Sequence, residues 1–406
     1  MLLLWLRLFC GCCIQFKKIN LLKTTKPKLI RITTVPLSLD KLLEGQLKFM
    51  QEHYDVIAVS SEKEYLEKIG AREGVSTHHL EMTRKITPLN DLIAVIKLTL
   101  FLLKTKPEIV HSHTPKAGIV GMMAAFLARV PHRFHTVAGL PLLEATGNKR
   151  KVLDFVEKMT YRFATKVYPN SKGLYTIILQ NKFCDPNKLT VLANGSTNGI
   201  NTTFFSNSHF SFAQKEELKN RLGIEQDDFV FVFVGRLVTD KGINEMVAAF
   251  RKLKINHPKP KLILVGPLES ELDPLLPKTL EAIENVKEII SVGYQQDVRL
   301  YLSISNCLVF PSYREGFPNV VMQAGAMELP SIVSNINGCN EIIVPKQNGL
   351  IIPVKDEKVL LEAMTTVMED TALYQHLQDT ARLMIVNRYE QNVVWKALLT
   401  EYQKLR

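Results

Sequence analysis

The chain has 406 residues, and at roughly 100–200 residues per domain that length favours two domains. Hydrophobic residues make up 46% and charged residues 22%, with Gly (20) and Pro (19) near average abundance. This excludes collagen-like and low-complexity architectures and allows a large core without disulfide staples. The net charge of +11 is unevenly placed: residues 1–200 hold 29 Lys+Arg against 15 Asp+Glu, and the remainder is slightly acidic. The N-terminal half therefore either meets an acidic partner (nucleic acid, an anionic membrane face or a phosphorylated substrate) or presents a basic solvated surface with no partner.

Met1 to Ile14 is apolar apart from Arg7 and Gly11, and Lys17 and Lys18 follow. A helix needs about 20 apolar residues to span a bilayer, so this stretch is too short. It also lacks the basic start and small-residue cleavage site of a secretory signal. It reads either as an interfacial anchor or as an extension from a misassigned start. Cys10, Cys12 and Cys13 crowd this segment, whereas Cys184, Cys307 and Cys339 are scattered singly. No histidines complete a metal-ligand spacing around them, and a reducing, cytosolic compartment is expected.

From Lys28 onward short apolar runs alternate with longer amphipathic ones. Strands are expected at 29–35, 56–60, 77–80, 109–112, 133–137, 167–168 and 189–192. Helices are expected at 91–104, 117–128, 151–164 and 171–180. Such alternation implies right-handed βαβ units and a parallel sheet covered on both faces. The Asn-, Ser- and Thr-rich stretch 194–211 breaks the pattern as a linker would. The second half repeats it, with strands at 229–234, 261–265, 289–292, 307–310, 331–333 and 350–352. Two doubly wound domains in series create a cleft at which the ligand-binding ends of both sheets can meet. Neither half carries G-x-G-x-x-G after its first strand, and the phosphate loop G-x-x-x-x-G-K-[ST] is absent.

Two stretches carry potential chemistry. The strand Phe229–Val234 runs into Gly235, where a missing side chain lets a ligand approach the backbone. Arg236 then offers a planar fork for phosphate oxygens and Lys241 a compact ammonium. The strand Cys307–Phe310 leads to Glu315, Gly316, Phe317, Pro318 and Asn319, with a helix start that offers free backbone N–H groups to an anion. A carboxylate beside an anion site makes sense where it binds hydroxyls, and a sugar nucleotide supplies a diphosphate next to a polyol.

The pairing of Gly235-Arg236 and Asp240-Lys241-Gly242 with Glu315-Gly-Phe-Pro and Gln323 resembles the family 4 retaining glycosyltransferases of the GT-B fold. So do Val110-His-Ser-His-Thr-Pro-Lys-Ala-Gly118 and Phe134-His-Thr-Val-Ala-Gly-Leu-Pro141. The resemblance extends from about Lys28 nearly to the end, and is nearest to bacterial enzymes of capsule, O-antigen or lipid-linked oligosaccharide assembly. It implies an α/β architecture of two Rossmann-like domains facing across a cleft. An extension (1–27) would precede an acceptor domain (28–200), a linker (201–211) and a donor domain (212–406), with the final helix packing back on the first domain.

By the same resemblance, the donor would be held by Gly235, Arg236, Lys241, Glu315, Gly316, Phe317, Pro318, Asn319 and Gln323. Arg236 and Lys241 would neutralise the departing diphosphate, and Glu315 would bind sugar hydroxyls. Gln323 replaces a second carboxylate that usually meets the ribose; an amide can still bond to ribose hydroxyls. His135 would sit beside the transferring sugar, completing a catalytic set with Arg236, Lys241 and Glu315. In the first strand's loop, Thr33, Thr34 and Ser38 stand where many relatives carry glycines. His111, His113 and Lys116 are acceptor-side candidates, with metal ligation and structural hydrogen bonding as alternative readings of the histidines.

The activity so implied is a metal-independent, retaining transfer of a hexose or N-acetylhexosamine from a nucleotide sugar, most simply a UDP-sugar. The acceptor would be a lipid-linked or polysaccharide precursor. The expected partners are the donor, that acceptor and an anionic membrane surface, with no nucleic acid and no cofactor; the expected location is peripheral, on the inner face of the cytoplasmic membrane. A sugar-nucleotide epimerase of the same architecture and a non-catalytic sugar-nucleotide-binding scaffold are the alternatives.

Overall fold

A computed structural model describes residues 26–404 apart from 86, 141, 143, 144, 258, 270 and 272. Residues 1–25 of the expected N-terminal extension, with its three cysteines, and Pro141 thus lie outside the described residues.

The first sheet contains β1 (Lys28–Ile32), β2 (Asp55–Ser60), β3 (Ser76–His79), β4 (Ile109–His113), β5 (His132–Val137) and β6 (Lys166–Pro169). The second contains β7 (Phe229–Val234), β8 (Pro260–Val265), β9 (Ile289–Gly293), β10 (Cys307–Phe310), β11 (Ser331–Ser334) and β12 (Gly349–Ile352). Every pairing within the two sheets is parallel. Their orders, β3-β2-β1-β4-β5-β6 and β12-β11-β10-β7-β8-β9, are the same doubly wound topology used twice. The two-domain α/β reading of the sequence therefore holds.

The middle strands are apolar at successive positions because helices cover both faces. Val230, Phe231, Val232 and Phe233 of β7 are all buried, as are all four residues of β10. In each sheet the chain reverses direction of winding between two central strands, β1 and β4 in one, β7 and β10 in the other. That switch leaves a crevice at their carboxyl ends.

One expected strand is absent. Leu189 makes a single bridge with Val167 at the edge of β6, and residues 190–192 leave the sheet for the interdomain segment. Here an apolar run marks side chains tucked under an edge, which its composition alone does not separate from a paired strand.

Two chain crossings join the domains, and they run side by side. Ile200 N–H donates to Tyr389 O at 2.8 Å and Gln391 N–H donates to Ile200 O at 3.1 Å. Residues just beyond the first crossing pack on the second domain: Arg382 donates to the carbonyls of Thr202 and Phe205, both at 2.9 Å. Beyond the second crossing, the helix Gln391–Gln403 returns to the first domain and buries Leu398, Leu399 and Tyr402 among Leu29, Leu43 and Phe134.

Candidate functional site

A cavity of about 540 Å³ lies between the domains, at both switch points at once. The first domain lines it with Thr114 and Pro115 after β4, His135 to Leu140 at the end of β5, and Glu157 on the helix Gly147–Phe163. The second lines it with Arg236, Asp240 and Lys241 after β7, Arg314, Glu315 and Gly316 after β10, and Asn337 after β11.

Local backbone chemistry places these groups. Gly235 makes the turn out of β7 into Arg236. Gly242, at φ +71°, follows the single helical turn Thr239–Lys241, and a Cβ there would lie 2.2 Å from Pro311 O. Only glycine allows that contact, which seats Lys241 against the loop after β10. A Cβ on Gly316 would lie 2.1 Å from Ala138 O, so this glycine lets the two domains touch across the cleft. Asn337 Nδ2 donates to Gly316 O at 2.6 Å and to Glu315 O at 3.2 Å, which holds the loop in place.

The charges on the second domain's wall are paired. Lys241 Nζ donates to Glu315 Oε1, which also accepts from Ser312 Oγ at 2.9 Å. Arg236 is paired with Glu269, and Arg314 with Asp240 at 2.8 Å. A diphosphate entering here would meet cations whose carboxylate partners must share or release them.

On the opposite wall His135 is buried and shares a hydrogen bond of 2.9 Å between Nδ1 and Ser112 Oγ. Burial pushes its pKa down to about 4, so the ring is neutral near pH 7. Glu157 is also buried, and burial pushes its carboxyl up to about 7. The site thus opposes a charged wall to a wall whose histidine is neutral and whose carboxyl takes up its proton near pH 7.

The cavity brings together His135, Arg236, Lys241, Glu315 and Gly316. Phe317 and Asn319 line a neighbouring space of about 210 Å³ with Asn170 and Asn198. Pro318 is buried at the start of the helix Asn319–Ala326, and Gln323 is half-buried one turn further on. Among the described residues His111, His113 and Lys116 do not line the main cavity. His111 is sealed in a network with Tyr402 Oη (2.5 Å) and Thr136 Oγ1 (2.8 Å). His113 stacks on it at 4.4 Å between ring centroids, and Lys116 pairs with Asp91. The hydroxyls in the first loop turn inward too: Thr33 meets Ser60 at 3.2 Å and Thr34 meets Thr114 at 2.7 Å. Ser38 lies within the helix Pro36–Leu42. Among the described residues no group of three or more His, Cys, Asp or Glu could hold a metal ion.

Sequence reasoning passed over Ser312, Asn337, Glu157 and the carboxylate partner Glu269. Asn337-Gly338 after a strand was a readable turn signal. Glu157 had no signal, since a carboxylate in an amphipathic helix ordinarily faces water.

Residues 214–384 match the family described as glycosyl transferases group 1, and residues 49–195 match the glycosyl transferase 4-like domain. The chain is 32% identical over 377 residues to the capsular polysaccharide biosynthesis glycosyltransferase CapM of Staphylococcus aureus, covering 92% of this chain and 96% of that one. It is also 32% identical over 314 residues to the Escherichia coli UDP-Gal:alpha-D-GlcNAc-diphosphoundecaprenol alpha-1,3-galactosyltransferase, covering 76% and 78% of the two chains. Among solved structures it shares its fold with Anabaena Alr3699/HepE in complex with UDP and glucose, at a TM-score of 0.77 and 17% identity. That likeness covers 93% of this chain and all of the other.

Proposed function

The chain belongs to the group 1 glycosyl transferases, and from that premise we propose that it moves a hexose or N-acetylhexosamine from a UDP-sugar to a lipid-linked acceptor, with retention, in surface-glycan synthesis. The observation that carries the proposal is the convergence of Arg236, Lys241 and Glu315 from one domain with His135 from the other on a single cavity.

In this reading the donor diphosphate lies against Arg236 and Lys241, which stabilise charge as the sugar–phosphate bond breaks. Glu315, released from Lys241, accepts hydrogen bonds from sugar hydroxyls. His135 is neutral, and its Nδ1 is engaged by Ser112, so Nε2 is the nitrogen available to the sugar near its anomeric carbon. The acceptor hydroxyl attacks on the face the phosphate leaves, and its proton passes to the departing phosphate oxygen, which balances the step. The two cations supply the charge that a metal supplies elsewhere, so the transfer is proposed to run without one. Gln323 serves the ribose, with Phe317, Pro318 and Asn319 forming the backbone approach to the nucleotide. Glu157 lies on the acceptor side of the cavity. The basic first domain faces an anionic bilayer on the cytoplasmic side, where a lipid-linked acceptor is presented.

The test is mass analysis of products from a panel of UDP-sugars incubated with lipid-linked acceptors, with and without excess chelator. A glycosylated lipid formed equally in chelator is the expected product. Conversion of free UDP-sugar without acceptor would identify an epimerase, and donor binding without turnover a scaffold. Activity lost to chelator and restored by magnesium or manganese overturns the metal-free mechanism.

A further inference from the structure

The helix Pro88–Thr105 has two apolar faces. Ala94, Val95, Leu98 and Leu102 pack into the core of the first domain. Leu89, Leu92, Ile93, Ile96, Leu100 and Leu103 are instead 49–79% exposed. At 100° per residue these six fall within an arc of roughly 100°, opposite the buried face. A surface helix normally turns polar residues outward, so a second apolar stripe needs a partner.

The stripe continues on its neighbours. The helix Pro115–Leu127 packs beside it and exposes Phe126 and Leu127; the helix Gly147–Phe163 packs beside that one and exposes Val152 and Phe155. Half of the exposed large apolar side chains of the described chain therefore lie on three adjacent helices of one domain.

The exposed charged residues of the three helices are all cations. Lys97 and Lys104 flank it on the helix itself, exposed, and Lys151, Lys158 and Arg162 stand exposed on the third helix. The acids nearby are already engaged, Asp91 by Lys116 and Asp154 by Arg150 at 2.7 Å. No described helix is long and apolar enough to cross a membrane.

We infer that the exposed face of the helix Pro88–Thr105, with Phe126, Leu127 and Phe155 beside it, is a docking surface for the headgroup–acyl boundary of an anionic bilayer. The inference rests on the proposed use of a lipid-linked acceptor. An apolar stripe rimmed by cations suits that boundary: apolar side chains leave water while lysines remain with anionic headgroups. The same helix begins near the cleft, since Lys116 at the start of the next helix pairs with Asp91 in its first turn and Thr114 and Pro115 line the cavity. Docking on this face sets the cavity mouth close to the membrane plane.

The test uses the full chain and sedimentation with vesicles, either phosphatidylcholine alone or equal parts phosphatidylcholine and phosphatidylglycerol. Wild-type protein is expected to bind the anionic vesicles and to release as salt rises. The double substitution Leu92→Glu, Ile96→Glu places two charges in the stripe and should weaken binding at least about tenfold. Lys97→Glu, Lys104→Glu should abolish the preference for anionic vesicles, and both variants should keep the wild-type melting temperature because the changed side chains are exposed. Unchanged vesicle binding by the stripe variant overturns the inference. So does a stripe variant that turns a dimer into a monomer without changing vesicle binding, which would assign the face to a second copy. Transfer to detergent-solubilised lipid-linked acceptor separates the two claims: transfer with stripe-independent vesicle binding leaves the function standing alone. Stripe-dependent binding with no such transfer leaves the surface standing alone.

Discussion

Lys241 and Glu315 lie against each other in the cleft, so altering one removes the other's ion-pair partner. The division of labour proposed for them separates in a UDP titration. Lys241→Ala removes a cation from the diphosphate, and UDP binding should fall clearly, with kcat lower by about 10²–10³. Glu315→Gln keeps the shape and removes the charge; UDP, which lacks the sugar, should bind it nearly as well as wild type. Calorimetry with UDP on both variants decides, and a reversed ranking would mean the phosphate and sugar subsites have been exchanged. A second residue-scale expectation concerns protons. His111, His113 and His135 are all buried with pKa values held below 6.5 by burial, and His135 lies at about 4. The unfolded chain binds more protons in that range, so their contribution makes stability fall as pH drops from about 6.5 towards 4. The cost is about 1.4 kcal/mol per histidine per pH unit. Glu157 works in the opposite sense, because its carboxyl is raised from 4.5 to about 7 and the folded chain binds the extra proton. Glu157→Gln should therefore steepen the rise of stability with pH between 4.5 and 7. Urea midpoints measured across that window check the sign, and a shallower slope in the variant would contradict the assignment.

At the scale of elements, the final helix does more than cover the first domain. Tyr402 Oη on it accepts from Arg31 Nη1 at 3.0 Å and shares a hydrogen bond of 2.5 Å with His111 Nδ1, whose Nε2 shares another of 2.8 Å with Thr136 Oγ1. Arg31 is fully buried in β1, with Gln46 as a further partner. Tyr402→Phe keeps the ring and deletes the oxygen, so two buried polar groups lose a partner. A loss of about 2–6 kcal/mol is expected at one to three per orphaned group. Urea unfolding measures it; a loss under about 0.5 kcal/mol would show that water takes the oxygen's place. The same network explains what was legible in the sequence. The strands of the second domain were readable because runs such as Phe229–Val234 are buried on both faces. Arg236, Lys241 and Glu315 were readable because residues at the carboxyl ends of central strands converge at a switch point. His111 and His113 occupy the same kind of position but are buried away from the main cavity: Tyr402, 291 residues from His111 in the chain, closes over His111, and His113 stacks on it. Periodicity carries no trace of such a partner. Glu157 was hidden for the converse reason: the helix that bears it turns that one carboxylate inward, toward a cavity that exists only when both domains are present.

The whole molecule is two domains pressed together by a small set of polar contacts around the cavity. Glu341 of the second domain accepts from the backbone N–H groups of Lys172 and Gly173 at 2.8 and 3.0 Å, at the start of the helix Lys172–Gln180. Ser171 Oγ donates to Asn337 Oδ1 at 2.7 Å beside it. A carboxylate at a helix N-terminus meets free donors and the positive end of the helix dipole. This contact holds a helix of one domain by a side chain of the other, while the paired crossings at Ile200 and Glu390 form the hinge behind it. Asn337 also holds the loop bearing Glu315, so the interdomain contact and the position of Glu315 are coupled. Glu341→Ala should shift the ligand-free protein toward an open form, seen as a larger radius of gyration in small-angle scattering. UDP-sugar binding should restore the compact form, because the proposed donor position touches both walls. A ligand that must draw on a less populated closed state binds more weakly by that population, and a closing bias of about 1.4 kcal/mol corresponds to tenfold. The donor KM is therefore expected to rise several-fold while kcat at saturating donor changes little, since the variant leaves Arg236, Lys241 and His135 in place. Scattering and KM both equal to wild type would show that the hinge and the Gly316–Ala138 contact hold the domains without this latch.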